Sequence, residues 1–376
     1  MGDWSTARIG EVAECLDAMR KPVRAADRSD GPYPYYGASG VIDHVDHYLF
    51  DGTFALVAED GENLRSRSTP VSFLARGKFW VNNHAHILSG SERCDVRFLS
   101  YAIENSDISG YLTGSTQPKL TQQSLLSMRL DWPPPAEQRA IADVLAALDD
   151  KIEANRRLAL RCGELAVTLA SLHPPKLALN ALAHHLHDMV SPSVFGHSDV
   201  EHFSLPAFDS GGLPVREAGS GIKSGKFTLA GPAVLVSKLN PHIPRVWLAQ
   251  PEGTWPAVTS TEFVVLSSKD GCPVELLWAI CRSPQFSTDL LKMVKGTTGS
   301  HQRVTPGDVL RIEVQDPQDF SDAERDVIVT AAQLSQSMRR ESAKLTATRD
   351  ALLPKLLGGE LRVNGVDSEI LTETYA

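Results

Sequence analysis

The feature that most constrains this chain is a repeat. Gly114-Ser115-Thr116-Gln117-Pro118-Lys119-Leu120-Thr121 returns, one residue shorter, as Gly299-Ser300-His301-Gln302-Arg303-Val304-Thr305. Arg129-Leu130-Asp131-Trp132 and its prolines are answered by Arg311-Ile312-Glu313-Val314 and Asp316-Pro317. Glu137-Gln138-Arg139 is answered by Ala323-Glu324-Arg325. Three matches in one order, at an offset of about 185 residues, mark a duplicated architecture.

A long amphipathic helix is expected after each copy. Ile141, Leu145, Leu148, Ile152, Asn155, Ala159, Cys162, Ala166 and Leu169 step by four and three, the period of a coiled-coil seam. Val327, Ala331, Leu334, Met338, Glu341, Leu345, Thr348 and Leu352 keep that alternation in the second copy. Pro133-Pro134-Pro135 precedes the first helix and Pro174-Pro175 stops it. Ser321-Asp322-Ala323-Glu324 opens the second as a capping box, and Pro354 with Gly358-Gly359 closes it. Two stripes in matching register favour mutual pairing over packing of each helix on its own domain. Each rod is roughly 50 Å long at about 1.5 Å per residue.

The expected organisation is a globular domain over 1–134, a helix over 135–173, a second domain over 174–316, a second helix over 317–358 and a polar, poorly ordered tail over 359–376. The globular parts read as α+β. Phe54–Ala58, Phe79–Val81, Ala233–Val236 and Glu262–Leu266 are short apolar runs bounded by turn residues, and Val96–Ile103 and Val274–Ile280 read as helical. Hydrophobic residues at 42% and charged ones at 22% exclude a disordered or collagen-like chain. No apolar run approaches the roughly 18 residues of a membrane span, and the N-terminus lacks the pattern of a signal peptide. The five cysteines are an odd number without a CxxC pair, which points to reduced thiols and a cytoplasmic protein.

Nothing in the sequence assembles an active site. Gly219–Lys226 has the wrong spacing for a P-loop, and Phe227 stands where a magnesium-binding hydroxyl belongs. His44 and His47, His84 and His86, and His184, His185 and His187 lack partners at zinc spacing, so no metal is expected. Polar loops remain, rich in the side chains that reach base edges and phosphates. The candidates for nucleic-acid contact in the first globule are Tyr35, Tyr36, Ser39, Arg65, Arg67, Asn82, Asn83, His84, Gln117 and Lys119. In the second they are Lys223, Lys226, Lys238, Asn240, His242, Arg245, Gln302 and Arg303. The charge balance argues against DNA held by this chain alone. Lys plus Arg number 37 against 46 Asp plus Glu, a net charge of −9, and no segment is basic.

These residues resemble the specificity subunit of type I restriction–modification systems, over nearly the whole length. The likeness rests on Tyr35–Gly40, Phe50-Asp51-Gly52, Glu59-Asp60-Gly61, Gly114–Leu120 and Pro133–Arg139 in the first half. In the second half it rests on His202–Asp209, Val236–Arg245 and Arg349–Leu357. The resemblance implies two target recognition domains, each reading one half of a bipartite asymmetric site in double-stranded DNA. It implies an antiparallel coiled coil that sets the spacer and docks two methyltransferase subunits, with restriction subunits in complexes that cleave. Adenine methylation and S-adenosylmethionine would belong to those partners, leaving this chain without a cofactor or catalysis of its own. Partners that supply phosphate contacts would also resolve the charge balance. The competing readings are a duplicated protein–protein adaptor and a two-domain enzyme. The second copy departs from the family pattern, carrying Asp316–Ser321 where the first has Pro133–Arg139.

Overall fold

The computed structural model describes residues 4–294 and 302–363; Gly299, Ser300 and His301 of the repeat and the tail after Val363 lie outside them. The chain divides into two compact units, 1–151 with 345–376, and 152–344.

In the first unit, β1 (Ser5–Arg8) pairs antiparallel with β8 (Arg129–Trp132), joining the start of the globule to its last strand. Between them lie β2 (Glu14–Cys15), β3 (Tyr33–Gly37), β4 (Gly40–Val45), β5 (Phe50–Ala58), β6 (Ser72–Val81) and β7 (Ala85–Ser89). They form one sheet in the order β2-β7-β5-β6-β3-β4. Apolar, β-branched and aromatic residues suit these strands because a pleated sheet buries them in alternation. Phe50 stacks on Phe79 across the β5–β6 pair at 5.5 Å, with Phe54 edge-on. Helix α1 (Val96–Glu104) covers the other side, and the Asp95 carboxylate caps it by accepting from the Arg97 and Phe98 amides. Phe98, Leu99 and Ile103 pack there with Val57, Leu88, Ile141, Leu145 and Leu356.

Two 36-residue helices, α2 (Pro135–Ala170) and, near the C-terminus, α4 (Asp322–Leu357), each run from one unit into the other. Gln138 anchors the start of α2. Its amide accepts from the Asp95 N–H at 2.9 Å and donates to the Pro133 and Arg93 carbonyls at 2.8 and 3.0 Å. Proline tolerates the first helical turn, where its missing N–H has no intrahelical acceptor.

In the second unit, β9 (Pro175–Ala178) pairs antiparallel with β19 (Glu313–Gln315), again first strand with last. Strands β10 (Ala183–Leu186), β15 (Ala233–Ser237), β16 (Val246–Ala249) and β18 (Phe263–Ser268) form a sheet in the order β10-β18-β15-β16. A second sheet has the order β11-β14-β17-β12-β13, made of Met189–Val190, Lys226–Thr228, Ala257–Ser260, Asp199–Phe203 and Val215–Ala218 respectively. Helix α3 (Val274–Cys281), wholly buried from Glu275 onward, packs on β15 and β16. Trp247 on β16 is wedged among Phe203, Phe208 and Phe263. All five cysteines are free thiols.

Within the second unit, Ala166 and Ala170 of α2 share a core with Ile328, Ala331 and Ala332 of α4. The Ser335 hydroxyl donates to the Ala159 carbonyl at 2.7 Å, a contact that small residues permit. Within the first unit, Arg349 of α4 meets Asp149 of α2 at 2.8 Å. Along α2, Ile141, Leu145, Ile152 and Asn155 are buried and Leu148 half-buried.

Two expectations about α4 need correction. Val327 and Leu334 are 44% and 37% exposed, and the buried stripe runs one residue on, through Ile328, Ala332, Ser335 and Ser342, with Met338, Leu345 and Leu352 half-buried at its margin. Close approach at Ala159 selects small residues, so an apolar-only pattern misplaces the face. Pro354 does not end the helix, which continues to Leu357; Gly359, in the left-handed region at φ 71°, follows. The two sides of this stripe should behave differently on urea unfolding. Ile328→Asp buries an unpaired charge and should cost about 4 kcal/mol or more, whereas Val327→Asp should stay within about 0.5 kcal/mol. Equal losses would put the face elsewhere.

Candidate nucleic-acid interface

In the first unit the repeated loop is latched to the end of a central strand. Where β5 ends, the Leu120 N–H donates to the Glu59 carbonyl at 2.8 Å and the Gly61 N–H to the Pro118 carbonyl at 3.2 Å. Gly61 takes φ 111° to make that turn. In the second unit, where β15 ends, the Val304 N–H donates to the Lys238 carbonyl at 3.1 Å and the Asn240 N–H to the Gln302 carbonyl at 3.0 Å. Asn240 takes φ 49°, a left-handed conformation that asparagine tolerates better than most residues. Pro118, Leu120 and Val304 are buried, while Ser115, Thr116 and Gln117 stand exposed at the tip. Gly114 has φ 83°, and a Cβ there would collide with the Gln117 carbonyl. Arg65 donates to the Gly114 carbonyl at 3.0 Å, bracing the tip from outside.

Beneath the first latch lies a charged network. The Asp17 carboxylate sits 2.5 Å from His86 Nδ1, and His86 Nε2 lies 2.8 Å from the Leu120 carbonyl. Arg20 reaches Asp17 at 3.1 Å and Glu59 at 2.7 Å, and Lys119 reaches Glu59 at 3.1 Å. Asp17, Glu59 and His86 are close enough to suggest a metal centre. Their carboxylates are already neutralised by Arg20 and Lys119, and the second His86 nitrogen faces a carbonyl, so the cluster is a structural ion network. Burial pushes the Asp17 carboxyl up, but His86, the Ile87 N–H and Arg20 outweigh it and hold it below the usual aspartate range. Glu59 is lowered against its burial by Arg20 and Lys119.

The candidate residues separate by what holds them. Tyr35, Asn82 and Lys226 turn inward, contrary to a surface role. The Tyr35 ring is buried beneath Arg28 with its hydroxyl accepting from the Val23 N–H, and Asn82 accepts from the His84 N–H. Lys226 donates to the Ser224 carbonyl and hydroxyl, and burial lowers its ammonium. Tyr36 packs half-buried on Phe73 and Phe79. Arg67, at φ 52°, donates to the Glu104 and Ser106 carbonyls and so caps the end of α1. Ser39, Asn83, Lys223 and His242 are exposed. His84 faces Asp60 at 2.9 Å.

Lys238, lowered by burial, flanks the second latch. Arg303 holds Glu262 with two contacts at 3.2 Å, and Arg245 holds Asp209 at 2.7 and 2.9 Å. The fold therefore gathers Arg65, His84, Gln117 and Lys119 around the first latch, and Lys238, Asn240, Gln302 and Arg303 around the second. Sequence reasoning missed Asp17 and the grouping of Asp17, Glu59 and His86, since it reads His86 only beside His84 and Glu59 only within Glu59-Asp60-Gly61.

Comparison with known proteins finds relatives for part of the sequence and for the fold. Residues 1–160 match the family described as Type I restriction modification DNA specificity domain. A Haemophilus influenzae protein named type I restriction enzyme specificity subunit S.HindORF215P is 38% identical over 141 residues, covering 37% of this chain and 36% of that protein. The type I restriction enzyme EcoDI specificity subunit of Escherichia coli is 24% identical over 156 residues, 41% of this chain and 33% of its own length. The matched stretch thus spans about a third of these relatives. The type I restriction-modification S subunit of M. genitalium shares the fold, with a TM-score of 0.67 at 15% identity, over 94% of this chain and 96% of its own. Residues 1–160 are thus similar to a type I restriction modification DNA specificity domain, and the described residues share the mixed α/β fold of that S subunit structure. No helix among the described residues is long and apolar enough to cross a membrane.

The Asp17 network gives a pH prediction. A carboxyl lowered in the folded state stabilises the fold above its unfolded pKa of about 3.9, and that contribution is lost as pH falls through the folded value. Urea midpoints measured from pH 7 down to pH 3 should fall at the acid end. Asp17→Asn should lower the midpoint at pH 7 and flatten that acid limb; an unchanged midpoint at pH 7 would remove the network from the fold's stability.

Proposed function

We propose that this chain is the DNA sequence-specificity subunit of a type I restriction–modification complex, acting without catalysis of its own. The observation that carries the reading is the latch, built with the same two backbone bonds in the first unit, which the DNA specificity family matches, and again in the second. It supports a duplicated pair of target recognition domains, each reading one half of a bipartite asymmetric site in double-stranded DNA. The closure of each unit by its first and last strands supports the same duplication.

The two long helices pair antiparallel in this reading. Asp149 meets Arg349 in the first unit, while Ala159 meets Ser335 and His173 meets Glu324 in the second, so numbering rises on one strand of the pair as it falls on the other. That coiled coil sets the spacer and docks two methyltransferase subunits. Adenine methylation and S-adenosylmethionine belong to those partners, as does cleavage where restriction subunits join. The complex works in the cytoplasm, where its DNA lies. The reading residues are the exposed Ser39, Asn83, His84 and Gln117 in one unit, and the exposed Lys223, His242 and Arg303 with the half-buried Gln302 in the other.

Selection of bound duplexes from a random library by the reconstituted complex tests this. The wild type should enrich one split motif. His84→Ala with Gln117→Ala should relax one half of it, and His242→Ala with Arg303→Ala only the other. Relaxation of both halves by either pair would contradict the assignment of one half to each unit.

A further inference from the structure

One cleft of the second unit carries two guanidinium groups that pair with no carboxylate among the described residues. It encloses about 180 Å³ between β16, α3 and α4. Two guanidinium groups line it. Arg282 follows the last turn of α3 with its charge 4.9 Å from the Trp278 ring centre, and Arg339 projects from α4 over Gly212. Other arginines of the described residues lie against a carboxylate, among them Arg28 on Asp43, Arg97 on Asp95, Arg303 on Glu262 and Arg349 on Asp149. Arg282 and Arg339 form no ion pair among the described residues, and Arg339 has only the Gly211 carbonyl at 3.4 Å.

The acids nearby are taken. Asp209, on the rim, is held by both arms of Arg245, and Glu164 is held by Arg161 at 3.1 Å. Burial lowers both arginines below the ordinary guanidinium value, and the Arg339 charge lowers Arg282 further. Two like charges in a cleft cost free energy unless an anion joins them. Arg282 still reaches solvent and Arg339 is half-buried, so an anion has access from outside. Planar guanidinium forks over a shared opening suit the oxygens of a phosphodiester. The rim continues through the Arg245–Asp209 pair into the 238–245 loop, the candidate DNA surface of this unit.

We propose that Arg282 and Arg339 together hold one backbone phosphate of the bound DNA. This rests on the DNA-reading function above and adds a contact that positions the duplex without reading its sequence. It also gives this acidic chain an anion site at a point where its own carboxylates are withdrawn.

The test uses the full chain assembled with its methyltransferase partners. Binding of a duplex carrying the target and of a scrambled duplex is followed by fluorescence anisotropy across a salt series. Arg282→Gln with Arg339→Gln should weaken both duplexes alike, by about tenfold at moderate salt, and reduce the salt slope by about 1. Thermal melting of the variant should not fall, because an unanswered charge has been removed. Arg339→Lys should restore part of the slope.

Unchanged affinity and slope for both duplexes would overturn the proposal. So would loss of subunit assembly with unchanged DNA affinity per assembled complex, which would make the occupant a partner's carboxylate. If the wild-type complex showed no preference for a split target while the variants still lost affinity for both duplexes, the sequence-reading function would fail and the phosphate site would stand.

Discussion

The structure depends on a pair of backbone hydrogen bonds made twice. At the end of a central strand, Glu59 and Lys238 offer their carbonyls to Leu120 and Val304, and a left-handed residue two positions on turns its own N–H to Pro118 or Gln302. These bonds need no particular side chain at the accepting residue, which is why a glutamate serves in one unit and a lysine in the other. What they do need is a residue that tolerates positive φ, met by Gly61 and Asn240. The polar tip can then be held at a defined place while its surroundings vary in sequence. That separation of a constant mount from variable neighbours suits the proposed reading of two different DNA half-sites on one frame.

Around this mount the charges are spent locally. Arg20 and Lys119 neutralise the buried carboxylates beneath the first tip, Arg303 neutralises Glu262 beside the second, and Arg67 satisfies the end of α1. No segment of the sequence forms a basic stripe, consistent with the net charge of −9. The chain is thus built to present a few placed contacts rather than a field, and the bulk of phosphate neutralisation falls to partners in the proposed complex. Arg282 and Arg339 matter in that setting because they share one cleft without a paired carboxylate among the described residues.

Much of this was legible in the sequence, for reasons that differ element by element. The repeated Gln117 and Gln302 segments pointed to the mounts because the same local geometry demands similar residues. Strands β5, β15 and β18 and helices α1 and α3 were visible because short apolar runs and their bounding turns are local properties. Other features depend on what the chain meets in three dimensions. Asp17 and His86 are 69 residues apart, and nothing near either announces the other. Tyr35 and Asn82 sit in polar-looking segments, yet the parallel pairing of β3 with β6 turns them inward. The face of α4 escaped for a further reason: where helices approach closely, Ser335 and Ala332 are better buried than Leu334.

The most direct test of the account is a genome-wide map of N6-methyladenine in cells with and without this gene, with the methyltransferase partner expressed in both. The account predicts that methylation disappears at one split, asymmetric motif and is unchanged elsewhere. Identical maps, with the methyltransferase shown to be present and active, would contradict it and leave the two units as protein-binding modules on a shared helical frame.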